Sequence, residues 1–152
     1  MTNLSEHFTL EELVFSQAAL RNGLDNTPDA AQVANLSRLC ATLLEPGRAL
    51  VAVPWHIDSG YRSPLVNANI GGAPDSAHME GRAADVIPML SRNATLWDAF
   101  EVLHHSQLPY DQIIFECRAW IHLSAPPQGQ TPRRQALVAT GGPGHWNYEL
   151  IK

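Results

Sequence analysis

The segment from Gly60 to Ala77 constrains the fold of this chain more than any other. It is rich in glycine, proline, serine and asparagine, which predicts a loop, with one turn of helix near residues 64–69. Strand-like segments flank it at Trp55–Ser59 and Arg82–Ile87. A loop this long is uncommon inside a compact domain unless it has a function. Functional residues are therefore expected in or beside this loop.

The rest of the chain alternates between short helical and strand-like segments. Apolar residues recur at helical spacing from about residue 28 to 45, and Pro46 should kink or stop that helix. Ser91 can cap a later helix. The strands predicted in the second half are Gln112–Glu116, Trp120–Ser124 and Gln135–Thr140, and the glycine-rich last dozen residues predict a surface tail. These elements predict an α+β fold, a small antiparallel sheet with flanking helices.

Composition and charge restrict the class of protein. The chain has 152 residues, of which 45% are hydrophobic and 16% charged, so a single domain over residues 1–152 is expected. A net charge of -5 argues against nucleic-acid binding. No apolar run reaches the roughly 18 residues that span a bilayer, so membrane insertion is not expected. Cys40 and Cys117 are too few for a disulfide scaffold.

A set of potential metal ligands begins at the end of the loop. His78 and Asp85 lie seven residues apart, and Gly81 between them allows a sharp turn that would bring their side chains together. Imidazole and carboxylate groups are both good zinc ligands. His122 is the best candidate for a third ligand, because an unpaired imidazole would be costly to bury in its apolar strand. Three protein ligands are typical of an open, catalytic zinc site.

The residues around these ligands resemble a known family. The pattern S-x-H-x-x-G-x-A-x-D from Ser76 to Asp85, followed by W-x-H at residues 120–122, resembles the zinc peptidases of the M15 family. That family includes D-Ala-D-Ala carboxypeptidases and dipeptidases and the endopeptidases of phage endolysins. The resemblance extends from about residue 5 to 125, through the segments His7–Leu13 and Ser59–Pro64, Asn67 and Gly71–Gly72.

The resemblance implies a fold, a metal and a set of site residues. The implied fold is that of the hedgehog/DD-peptidase group, with Zn²⁺ held by His78, Asp85 and His122. Arg62 is implied as a residue that binds substrate or stabilises developing charge. Ser76 either caps its own loop or contacts the substrate. The implied substrate is the peptide part of peptidoglycan, and the catalytic part of the domain spans about 5–125, followed by a C-terminal strand and tail at 126–152.

Glu116 is the candidate general base, and the hairpin geometry decides whether it can act. The close E-x-x-H spacing of the family's dipeptidase branch is absent, because Ala119 stands three residues before His122. A three-residue loop at 117–119 would place Glu116 on the same sheet face as His122, whereas a two-residue loop would place it on the opposite face. If Glu116 lies on the opposite face, another acid or His145 becomes the candidate.

These observations predict a monomeric zinc metallopeptidase, either a carboxypeptidase or an endopeptidase. The first residues lack the basic start and apolar stretch of a signal peptide. Because peptidoglycan lies outside the cytoplasmic membrane, we expect a phage or prophage lysin that stays in the host cytoplasm until its release to the periplasm and cell wall. The alternatives are a bacterial enzyme that has lost its signal and a non-catalytic, zinc-containing binding or virion module of the same fold.

Overall fold

The structure is a computed structural model that describes residues 1–142 and 144–151. Within these residues the helices are α1 (Leu10–Val14), α2 (Gln17–Asn22), α3 (Ala30–Leu39), α4 (Glu45–Val51), α5 (Pro64–Asn69) and α6 (Leu96–His104). The strands are β1 (Trp55–Ser59), β2 (Ala83–Pro88), β3 (Gln112–Glu116), β4 (Trp120–Ser124), β5 (Gln135–Thr140) and β6 (Asn147–Leu150). The bounds predicted for β1, β3, β4, β5 and α5 are confirmed. No helix within the described ranges is both long and apolar enough to cross a membrane.

The six strands form one sheet in the order β1-β2-β4-β3-β5-β6. The predicted α+β class is therefore confirmed, but the sheet is not wholly antiparallel, because β5 runs parallel to β3. The link after β4 crosses the start of β3 and delivers Gln135 beside Gln112, at the sheet end where β4 finishes. Asp111 holds this link, since its carboxylate accepts hydrogen bonds from the Arg133 backbone and guanidinium.

The two faces of the sheet have different surroundings. One face, here called the core face, carries Val86, Ile113, Ile121 and Leu123, which are fully buried against the helices. Since side chains alternate along a strand, the residues between them point to the opposite face. That opposite face, here called the cleft face, includes Asp85 and His122. The fold thus supports a polar site on one face by packing a hydrophobic core on the other.

The sequence predicts that the helix before β1 kinks or stops at Pro46, and in the structure it does not stop there. It continues from α3 through a wider π-helical turn at Cys40–Leu44 into α4. Proline has no N–H, and its ring would crowd a carbonyl of the preceding turn in a regular α-helix. A π-helical turn is a recognised way to absorb such a local misfit. The predicted cap at Ser91 is also wrong, because Thr95 caps α6 in a reciprocal pair with Asp98.

The predicted surface tail is a further point at which the structure differs. Residues 147–150 form β6, which pairs with β5 so that Ala139 faces Tyr148 and Leu137 faces Leu150. Gly141 makes the reversal possible: its φ is +96°, and a Cβ there would lie 2.1 Å from the His145 carbonyl oxygen. A strand of four exposed residues is too short a pattern to be indicated in the sequence. Pro143 lies outside the described residues.

Candidate metal centre

Asp85 and His122 are brought together by the register of two central strands. They lie directly opposite each other in the antiparallel pair of β2 and β4, so both side chains project from the cleft face. Asp85 is 5% exposed and His122 is 8% exposed. The Asp85 Oδ1 and His122 Nδ1 atoms are 3.0 Å apart. Two of the three predicted ligands therefore occupy the middle of the sheet, where their positions are fixed by strand pairing.

His78 reaches the same place from a short 3₁₀ turn at Ala77–Glu80. The Ser76 hydroxyl caps this turn by accepting the His78 backbone N–H at 3.2 Å. Gly81 ends the turn with φ +73°, and a Cβ there would lie 2.5 Å from the Gln32 carbonyl oxygen. The predicted role of Gly81 in the sharp turn is thus confirmed. The close contact of Gly81 with α3 also leaves no room for a side chain at this position.

His78, Asp85 and His122 form a compact set of donor atoms, here called the His–Asp–His cluster. The His78 Nε2 lies 3.3 Å from Asp85 Oδ1 and 3.2 Å from His122 Nδ1. Atoms that lie 2.0–2.2 Å from a tetrahedral zinc ion are about 3.3–3.6 Å from one another. The observed separations are close to this range. The cluster therefore has the size that a tetrahedral ion requires.

The hydrogen bonding within the cluster also suits a cation. The His78 Nδ1 donates to the Gly60 carbonyl at 2.7 Å, so its Nε2 presents a lone pair to the cluster. Only the His122 Nδ1 can then supply a proton to the space between three electron-rich atoms, and one proton cannot satisfy all of them. A bound cation would satisfy all three atoms at once. The donor set fits the metal that the sequence predicts.

Burial and mutual contact set the charges of these groups. Burial lowers the pKa of His78, which favours the neutral, metal-binding form. Burial raises the pKa of Asp85, but the two imidazoles outweigh it and hold the pKa of that carboxyl below its ordinary value. For His122, burial is opposed by the hydrogen bond to Asp85, and the pKa is raised overall. The cluster thus holds an ionised carboxylate in a buried setting.

Glu116 lies on the same face as the His–Asp–His cluster. In the β3–β4 hairpin Glu116 pairs with Trp120 and Ile114 pairs with His122, so the loop has three residues. Cys117 and Arg118 take positive φ values of 52° and 58° to make that turn. The Trp120 indole N–H donates to Glu116 Oε2 at 3.0 Å. Burial, followed by the charge of Asp85, raises the pKa of Glu116.

Arg62 begins the loop that crosses the cleft from the end of β1. Its Nη2 donates to the Ser76 hydroxyl at 3.3 Å, and its backbone N–H donates to the His78 carbonyl at 3.1 Å. The buried Nε has no hydrogen-bond partner among the described residues. Burial lowers the pKa of Arg62, although Asp85 and Glu116 oppose the shift. Arg62 is therefore a partly buried cation with spare donors at the cleft wall.

The His–Asp–His cluster, Glu116, Arg62 and Ser76 all line one cleft of about 840 Å³. The alternative base His145 is exposed and does not line this cleft. Cys117 does not line it either, because its thiol is directed to the Gly141 carbonyl at 3.5 Å. One wall of this cleft is not predicted by the sequence. It is formed by apolar and aromatic side chains of the second half of the chain: Ile114, Leu137, Trp146 and Tyr148. The signal available in sequence was the alternation of Trp146 and Tyr148, which the neighbouring glycines obscured.

Comparison with known proteins agrees with the geometry. The family model described as peptidase M15 matches residues 6–124. This range contains Arg62, Glu116 and the whole His–Asp–His cluster, and it ends with β4. No curated protein sequence matches the chain. The M15 peptidases are metallopeptidases, in agreement with the donor set described above. Because the match covers most of the chain, this protein belongs to the peptidase M15 family.

Proposed function

We propose that this protein is a zinc-dependent hydrolase that cuts a peptide bond in the stem or cross-link peptides of peptidoglycan. The observation that carries the proposal is the buried His–Asp–His cluster in a cleft shared with Glu116 and Arg62. Metal ligands, a carboxylate and a cation are the groups that metal-assisted amide hydrolysis needs. The peptidoglycan substrate rests on the resemblance of the motifs to the M15 family.

His78, Asp85 and His122 would hold the zinc ion, through the Nε2, Oδ1 and Nδ1 atoms that face one another. Zinc lowers the pKa of a coordinated water towards about 7 and polarises a carbonyl group. The Gly60 carbonyl fixes the tautomer and ring orientation of His78. The chain's own contribution is therefore a preorganised donor set, two members of which stand on directly paired strands.

Glu116 is the group that would accept the proton of the attacking water and return it to the leaving amine. Its raised pKa brings it nearer to neutral pH than an ordinary carboxyl, which suits a group that must both take and give a proton. The bond from Trp120 occupies one carboxylate oxygen. The other oxygen, Oε1, accepts no hydrogen bond within the described part of the chain and remains available for the water.

Arg62 would bind a carboxylate of the substrate or the oxyanion that develops at the scissile carbonyl. Its planar fork can donate two parallel hydrogen bonds, and its buried Nε has no other partner among the described residues. Low local polarity strengthens such a contact relative to one in water. Ser76 positions the guanidinium through its hydroxyl and lines the same cleft, where it is proposed to contact the substrate.

Within this function, we propose a phage or prophage lysin, because the motifs resemble those of endolysin endopeptidases. The rival interpretation is a non-catalytic module that keeps the metal for binding. A module without catalytic duty has no need of Glu116 with its pKa raised beside the cluster, nor of Arg62 with a spare buried donor. The complete set of groups favours the enzyme.

Digestion of purified sacculi tests the proposal directly. The zinc-loaded protein is incubated with sacculi, and the released muropeptides are identified by mass spectrometry, which also distinguishes a carboxypeptidase from an endopeptidase. We expect new fragments that end at one peptide bond, that disappear with a chelator and return with added zinc. Glu116→Gln is the matched inactive control. Intact sacculi after incubation with folded, zinc-loaded protein would contradict the proposed substrate.

A further inference from the structure

The cleft face changes character on one side of the His–Asp–His cluster. Across the sheet from His122, the residues at the same level are Ile114 on β3 and Leu137 on β5. They are 5% and 8% exposed and form a small apolar cluster with Ala139, separate from the main core. An apolar row thus begins on the strand next to a metal ligand.

The chain after β5 returns to cover this row. Trp146 packs against the apolar cluster, and Tyr148 on β6 lies opposite Ala139. The two aromatic rings are 6.5 Å apart and inclined by 32°. Tyr148 remains 49% exposed, and both side chains line the cleft. These four side chains, Ile114, Leu137, Trp146 and Tyr148, are here called the apolar wall.

The opposite side of the cluster carries charged and polar side chains. There the cleft is lined by Arg62, Ser76 and the exposed Asp75. Neighbouring strands are about 4.8 Å apart, so the apolar wall begins roughly 5 Å from His122, at Ile114, and extends to roughly 15 Å, at Tyr148 on β6. An extended peptide advances about 3.5 Å per residue. The wall therefore spans positions about one to four residues from any bond held at the cluster.

We propose that the apolar wall is a subsite for the aliphatic side chain of a substrate residue next to the hydrolysed bond. The inference rests on the proposed peptidase function. Apolar surface that is continuous with a reaction centre and lies opposite a cation gives a peptide one preferred direction. A carboxylate points to Arg62, and a methyl or larger aliphatic group lies against Trp146. Residues after 124, outside the family match, thereby contribute to substrate choice.

The kinetic test uses two peptides that differ by one atom. The first is a peptide that the wild type cuts, with alanine beside the bond on the side of the apolar wall, and the second has serine at that position. We expect the wild type to prefer the alanine peptide in kcat/KM by roughly tenfold, the usual scale for such a difference in an apolar pocket. Trp146→Ala and Tyr148→Ser should reduce this preference to about twofold or less.

Glu149→Ala is the matched control, because Glu149 lies on the same strand but faces away from the cleft, opposite Val138. It should retain the wild-type preference. Tyr148 is exposed, so Tyr148→Ser keeps the test valid if Trp146→Ala does not fold. An equal loss on both peptides in Trp146→Ala and Tyr148→Ser, or an unchanged preference, would overturn the proposal.

A binding measurement separates this inference from the proposed function. In the Glu116→Gln protein, addition of the alanine peptide should shift the indole N–H resonance of Trp146 in an NMR spectrum. The resonance of Trp97, on α6 and outside this cleft, should not move. If the wild type cuts no peptide but the Trp146 resonance shifts, hydrolysis fails and the subsite stands. If peptides are cut without a shift of Trp146, the subsite fails and the peptidase stands.

Discussion

The central strands β2 and β4 and the C-terminal hairpin of β5 and β6 contribute to one cleft in different ways. On β2 and β4, Asp85 and His122 face the cleft as polar, almost wholly buried residues whose positions are fixed by direct pairing. In β6, all four residues are exposed, and the strand lies at the edge of the sheet. The family match includes the first region and ends before the second.

On the proposed function, the central strands hold the metal, whereas the C-terminal hairpin helps to select the substrate. Metal ligands must be held within a fraction of an ångström, which buried, paired strands achieve. A wall that contacts a substrate side chain tolerates more variation, and edge strands and turns can supply it. Substitutions in the central strands should therefore affect metal content and turnover, whereas substitutions in the hairpin should affect selectivity and local stability.

The largest effect is expected from His122→Ala. Two remaining ligands hold a metal weakly, so zinc content should fall to near zero and activity should be lost with it. The measurement is the zinc-to-protein ratio of the purified variant. His56→Ala on β1, an exposed position, is the matched control and should keep its zinc. Full zinc occupancy in His122→Ala would remove this residue from the ligand set.

Glu116→Gln should lower turnover by roughly 10²–10⁴-fold while zinc stays bound, because the amide keeps the shape but cannot accept a proton. Initial rates and metal content are measured on the same preparation. Glu149→Gln replaces an exposed carboxylate of the hairpin and should change neither quantity. Turnover near the wild-type rate in Glu116→Gln would require a different base.

Arg62→Lys should lower activity by at least about tenfold with zinc retained, because lysine keeps the charge but loses the planar fork. The loss should be larger for substrates that carry a carboxylate near the bond. Arg21→Lys, at an exposed position of α2, controls for general effects of the substitution. Equal rates for Arg62→Lys and the wild type would show that two-point binding is not needed at this position.

The smallest effect is expected from the loss of the Asp111–Arg133 contact, which holds the link that leads into β5. Burial raises the pKa of Asp111, but hydrogen bonds from Arg133 outweigh it and hold that pKa below its ordinary value. The ionised pair therefore contributes stability above the unfolded pKa, and this contribution is lost as the pH falls through the folded pKa. Asp111→Asn should lower the free energy of unfolding by about 1–2 kcal/mol near neutral pH.

Urea unfolding at about pH 7 and about pH 3 measures this difference, which should shrink at the lower pH. Zinc content should be unchanged in Asp111→Asn, since Asp111 lies outside the His–Asp–His cluster. A loss of stability that is the same at both pH values would show that the ionised pair is not its source.

The sequence predicted the parts of the structure that depend on local signals. Strand bounds, the Gly81 turn and the convergence of His78, Asp85 and His122 follow from glycine positions, alternation and residue chemistry. The continuation of the helix past Pro46 could not be predicted, because a π-helical turn absorbs the misfit. The parallel β5 and the return of Trp146 to the cleft depend on long-range pairing, for which a four-residue exposed strand gives almost no local signal.

The most direct test of the account is the location of zinc in crystals of the protein. Diffraction data collected on both sides of the zinc absorption edge give the position of the metal independently of its chemistry. The account predicts one anomalous peak per chain, about 2.0–2.2 Å from the His78 Nε2, Asp85 Oδ1 and His122 Nδ1 atoms. A zinc peak elsewhere, or none at this cluster in protein crystallised with excess zinc, would contradict it.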